Sequence, residues 1–260
     1  MLRRTLLSLS LATLCGSALA ADTATLKAKF IFGGDAPAQQ KINPNKDIEF
    51  CGKTELLEEK LIVNPENKGI QNVVLYVFTG RGGTPASALP EVKAEPKTIT
   101  LANDKCRFEP HIVVARVGDT IDVTNPDEVG HNANMNFLNN SPVNFTIPPK
   151  GHKEVVVKKD EPAPIPVDCN IHPWMRSYLV VLEHPFVDVS DENGELVIEG
   201  LPAGTELTFR VYHESAAGAI DKVKVGGKDE NWARSRMKIT LKPGMNDLGE
   251  VVIPASLLGK

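Results

Sequence analysis

Four side chains of this 260-residue chain have the types and spacing to hold a metal ion. Cys169, His172 and Met175 stand three apart in the stretch DCNIHPWMR, so one short loop carries a thiol, an imidazole and a thioether. His131, in the upstream stretch GHN, supplies a second imidazole. Thiolate, thioether and imidazole suit copper, whereas hard cations such as magnesium and calcium prefer oxygen. Two His and one Cys in a plane with a weak axial Met make an electron-transfer copper site. Two other readings compete. Cys106-x4-His111 with Cys169-x2-His172 offers zinc two thiolates and two imidazoles, but leaves Cys51 alone and His131 and Met175 without a part. Cys169 and Met175 could also be plain core packers. His152, His184 and His213 fall in ordinary strand or turn contexts and are read as surface positions.

The elements that must position these residues are short strands. Residues 25–32 (TLKAKFIF) alternate apolar and polar, and residues 73–78 (VVLYVF) read as a more buried strand. Residues 54–60 (TELLEEK) are expected to form a turn or two of helix. Residues 80–96, rich in Gly and Pro, form a loop or linker. KTITL, HIVVARV, TIDVT, KEVVVK and YLVVL then recur as alternating or Val-rich runs separated by Asn, Gly, Asp and Pro. Such spacing predicts a sandwich or barrel. The segment before Cys169, EPAPIPV, carries three prolines that cannot donate to a ladder, so it is expected at a sheet edge or as irregular chain. Near the C-terminal end, Asn193-Gly194 between alternating runs is a strong hairpin signal. The fold class is all-β.

FEPHIVVARVGDTIDVTN, GHNANM and CNIHPWMRSYLVV together resemble the cupredoxins, the amicyanin- and plastocyanin-like type 1 blue-copper family. The resemblance covers residues 93–185 and implies a Greek-key β-sandwich. It implies a copper centre held by His131, Cys169, His172 and Met175, with Asn132 tying the His131 loop to the Cys169 loop. It also implies that His172 presents its edge to solvent, with Ile171, Pro173 and Trp174 as a small apolar docking patch. The implied partner is a redox protein such as a cytochrome or a quinoprotein dehydrogenase. Flanking it, KAKFIFGGDAPAQ, NVVLYVF and ELVIEGLPAGTELTFRV resemble carboxypeptidase-regulatory-like, Ig-like β-sandwich domains. Residues 21–92 and 186–258 are therefore expected to form one discontinuous sandwich interrupted by the first.

The chain opens with two arginines, an apolar run and Ala18-Leu19-Ala20, the pattern of a signal peptide cleaved near Ala20. A periplasmic or secreted location follows as the expectation. The apolar run is shorter than the about 20 residues a membrane-crossing helix needs. The formal net charge is −4, and losing Arg3 and Arg4 makes it more negative, which speaks against nucleic-acid binding. Without Cys15, three cysteines remain. In an oxidising compartment an odd count means a link to another chain or one thiol with separate employment. With Cys169 in the metal loop, Cys51 and Cys106 are left as the disulfide pair, a connectivity that sequence alone does not prove. The leading function is an exported carrier of single electrons rather than a catalyst. The alternatives are a copper carrier without redox turnover and a structural zinc protein.

Overall fold

The computed structural model describes residues 23–259, so the leader expected at 1–20 lies outside the described residues. The chain is all-β, built on four main sheets. Two of them enclose the candidate metal loop. One runs, in spatial order, Val143–Ile147, His131–Met135, Ile165–Asp168, Arg176–Leu182, Ile112–Arg116. The other runs His152–Val156, Thr120–Thr124, Thr98–Asp104, Arg107–Glu109. Their inward side chains, among them Leu101, Phe108, Ile121, Val123, Met135, Ile147, Val167 and Leu179, form one buried cluster. Alternation makes this work: in Thr120–Thr124 only Ile121 and Val123 are buried, as a period of two requires.

The remaining two sheets pack around Phe30, Leu75, Phe186, Leu196, Phe209 and Val251. Here Thr23–Gly33 lies between Glu195–Pro202, antiparallel, and Gly244–Pro254, parallel. Strands from the two ends of the described chain thus share one sheet. The second sheet of this pair is ordered Val187–Val189, Val74–Val77, Glu206–Tyr212, Arg236–Thr240. A third buried cluster joins the two halves, with Val74, Tyr76 and Phe78 from one and Ile112, Tyr178, Val180 and Leu182 from the other. It explains why Val74–Val77 and most of Arg176–Leu182 are buried at successive positions. A strand covered on both faces reads as a continuous apolar run.

Two local expectations are corrected. Residues 54–60 are not helical: Leu56–Leu57 pairs with Lys41–Ile42 as a two-stranded ribbon, and the helix is the single turn Ile48–Cys51 just upstream. Leu56 is buried in the core cluster that also holds Cys169, and that tertiary contact overrides the helical propensity of TELLEEK. The proline-rich segment before Cys169 is not an edge. Ile165–Asp168 sits between His131–Met135 and Arg176–Leu182. Pro162 and Pro164 precede the strand, and pairing with His131–Met135 begins only at Val167, beyond Pro166.

Candidate metal centre

The loop between strands Ile165–Asp168 and Arg176–Leu182 is closed by its own backbone. Cys169 N donates to Met175 O (3.2 Å) and Met175 N to His172 O (2.9 Å). An Arg176–Asp168 ion pair (2.6 Å) clamps its base, and the Trp174 indole N–H donates to Cys106 O (3.1 Å). His131 opens the neighbouring strand, which pairs with Val167 and Asp168. Asn132 links the two segments. Its backbone N–H points at Cys169 Sγ (3.5 Å), its Oδ1 accepts from Asn170 N (2.6 Å), and its Nδ2 donates to Asn144 Oδ1 (2.8 Å).

This architecture brings His131, Cys169 and His172 together, their ligand atoms all within 4.8 Å of one another. His131 Nδ1 and His172 Nδ1 are 2.9 Å apart, and Cys169 Sγ is 3.7 Å from His172 Nδ1. Met175 is buried in the same core cluster as Cys169. Bonds of ~2.1 Å to nitrogen and ~2.3 Å to sulfur at tetrahedral angles put N and S ~3.6 Å apart and two N ~3.4 Å apart. The sulfur separation matches, and the nitrogens must part by only about 0.5 Å. The donor set and its spacing therefore fit a thiolate–imidazole metal site.

Each imidazole is tied off at its far nitrogen. His131 Nε2 pairs with Asp127 Oδ2 (2.8 Å) and His172 Nε2 with Asp47 Oδ2 (2.8 Å). A carboxylate on one ring nitrogen sets the tautomer and aims the other. Both rings accordingly turn Nδ1 toward each other and toward the thiol. Burial works against a charged Cys169, but hydrogen bonds from His131 and His172 outweigh it and lower the thiol to about 6. Burial likewise opposes charge on His131, and Asp127 and Cys169 outweigh it, raising the imidazole above its ordinary value. A metal ion is held by a thiolate and neutral imidazoles, so binding here would release protons.

Cys51 and Cys106 form a disulfide, and Cys169 is free. The two-thiolate zinc set is therefore not assembled, because Cys106 is bonded to Cys51. His172 does not present its edge to solvent: it is 0 % exposed, covered by Asp47. Of the expected docking patch, Pro173 is exposed while Ile171 and Trp174 are half-buried. His184 and His213 are buried rather than at the surface; His213 bonds to Ser215 Oγ (2.8 Å) and Gln71 O (3.1 Å). Sequence reasoning missed the two carboxylates. Asp127 stands four residues before His131, a spacing that could have flagged it. Asp47 lies 125 residues from His172, and no local pattern connects them.

No protein-family profile matches the chain, and no curated protein matches it in sequence. The solved structures that resemble part of it include the following three. A copper-containing nitrite reductase from Thermus scotoductus SA-01 is 21% identical over 37% of this chain and 26% of its own, with a TM-score of 0.31. A mutant of amicyanin in the Cu(I) form is 19% identical over 37% of this chain and 94% of its own, with a TM-score of 0.30. A purple cupredoxin from Nitrosopumilus maritimus is 22% identical over 34% of this chain and 99% of its own, with a TM-score of 0.26. The chain thus covers about a quarter of the nitrite reductase.

Proposed function

We propose that the protein is an exported cupredoxin-type carrier of single electrons, with one type 1 copper held by His131, Cys169, His172 and Met175. The observation that supports this best is the convergence of two Nδ1 atoms on the buried Cys169 sulfur, each ring anchored behind by a carboxylate. When bound, the copper supplies a one-electron couple that exchanges with a redox protein such as a cytochrome or a quinoprotein dehydrogenase. The chain's own residues do the rest. Asp127 and Asp47 hold the rings in one tautomer and one orientation. Asn132 N–H donates to the sulfur, which moderates the charge on the thiolate. The closed loop backbone and the Asp168–Arg176 clamp keep the ligands from rearranging between oxidation states. Burial of Cys169, His172 and Met175 keeps water from the metal.

The reading extends to the rest of the chain. Residues 93–185 are then the copper-binding domain, and 21–92 with 186–258 one supporting sandwich that sends residues 41–57 across to the copper side. The disulfide fits a periplasmic or secreted location. Among the described residues no helix is long and apolar enough to cross a membrane.

The test is a visible and EPR spectrum after adding Cu(II), repeated with Cys169→Ala. An intense blue band with narrow copper hyperfine splitting, lost in the variant, is the expected result. An ordinary tetragonal copper spectrum that the substitution leaves unchanged would refute the proposal.

A further inference from the structure

Residues 41–57 leave the supporting sandwich as an arm and lie across the metal side of the molecule. Cys51 and Leu56 are each 1 % exposed within the core of the metal-binding sandwich. The Cys51–Cys106 disulfide fastens the arm there. Its working end is Asp47, the residue that opens the turn Ile48–Cys51. Asp at such a position ordinarily caps the turn through its side chain. Asp47 makes no side-chain cap bond; only its backbone carbonyl accepts, from Phe50 N and Cys51 N. The carboxylate is turned to His172 Nε2 instead, at 2.8 Å. Its backbone is left-handed (φ 45°, ψ 42°), a conformation costly for residues other than Gly and tolerated best by Asp and Asn. Strain of this kind persists where the surrounding structure enforces it. The disulfide and the buried Leu56 do so here.

We infer that Asp47 is a positioning residue for the metal centre, aiming His172 and closing the one imidazole edge a partner would otherwise touch. The inference rests on the copper reading given above. Its consequence is a changed port. The side chain of Asp47 is 41 % exposed while that of His172 is 0 % exposed, so a partner meets a carboxylate and reaches the imidazole through its hydrogen bond. Beside Asp47 stand Ile48, 62 % exposed, and the exposed Glu49. The arm also bears on the other ligand. Asp127, which holds His131, accepts from Lys105 N and Cys106 N, at the far end of the disulfide. One cross-link therefore braces both carboxylates.

The experiment compares Asp47→Ala and Asp47→Asn with the wild-type full chain, first without copper. In wild type the His172 Nε2–H should give a slowly exchanging proton signal in the NMR spectrum. Asp47→Ala should lose it, and Asp47→Asn, which keeps an acceptor at the same reach, should retain it. In the copper-loaded proteins, competition with a chelator should show Asp47→Ala binding about 10–100-fold more weakly, with most of the loss recovered in Asp47→Asn. The reduction potential should rise in both variants, because each removes a negative charge that favours Cu(II). An arm that only packs would leave the proton signal and the potential unmoved, or would give the Asn variant the same losses as the Ala variant; either result overturns the inference. If wild type develops no thiolate-to-copper band, the copper reading fails on its own. Asp47 is then judged on the copper-free proton signal and on Zn(II) affinity, and no change in these would overturn its role.

Discussion

Asp127 offers a sharp test of how the site is built. It is 3 % exposed and accepts three hydrogen bonds, from Lys105 N (2.7 Å), Cys106 N (2.9 Å) and His131 Nε2 (2.8 Å). Asp127→Ala leaves all three donors without a partner. Lys105 is exposed and its N–H can turn to water, whereas Cys106 N and His131 Nε2 are buried; each buried donor so stranded costs about 1–3 kcal/mol, so the two cost about 2–6 kcal/mol. Water entering the space of the lost carboxylate recovers part of this, which makes about 3–4 kcal/mol the expected net loss. Against a typical total of about 5–15 kcal/mol, that is a large fraction. Urea unfolding of the copper-free protein, followed by far-UV circular dichroism, reads the change directly. Trp174 on the metal loop and Trp232 in the other core let fluorescence report each half. Copper affinity should also fall about 10–100-fold, since His131 loses the group that aims it. The pH dependence has a definite sign. Burial works against the Asp127 carboxylate, but the bonds from His131, Cys106 and Lys105 outweigh it and hold its pKa below 3.8. Its contribution is thus present above the unfolded value and is lost as pH falls through the folded one. Asp127→Asn should therefore be less sensitive to acid than wild type. An Asp127→Ala protein within about 0.5 kcal/mol of wild type, with unchanged copper affinity, would refute the reasoning.

Two further predictions concern the joints between the halves. Replacing both Cys51 and Cys106 with Ala opens a link between residues 55 apart in sequence. The loop-entropy relation puts the loss at about 4 kcal/mol, to be seen as a lower Tm that reductant no longer affects. His111 is buried between Glu214 and Glu59; burial opposes its charge, but the two carboxylates outweigh that and raise it to about 9. Raised above 6.5, it should contribute on the order of 3 kcal/mol below that pH, an amount lost as pH rises through about 9. His111→Gln should therefore be less stable than wild type at pH 6 and nearly equal to it at pH 10. A gap that stays constant across that range would contradict the assigned ion pairs.

Some of this protein is determined over a few residues, and there the sequence suffices. Alternation in TIDVT and continuous burial in YLVVL follow from how many faces of a strand are covered, so the all-β class was legible. The types and three-residue spacing of Cys169, His172 and Met175 confine a thiol, an imidazole and a thioether to one loop, because so short a segment cannot separate them. What the sequence leaves open is decided by contacts between distant segments. TELLEEK has the propensity of a helix, yet Leu56 is drawn into a core built mostly from residues 98–182. Three prolines suggest an edge, but two of them fall before the strand and the third where one neighbour has not begun to pair. Above all, nothing near His172 in sequence says that its outer nitrogen will be covered. That depends on an arm from residues 41–57 held by a disulfide, and on Asp47 giving up its usual capping bond. Local spacing chooses the ligand types; only the tertiary structure decides which way the rings face and what stands between them and solvent.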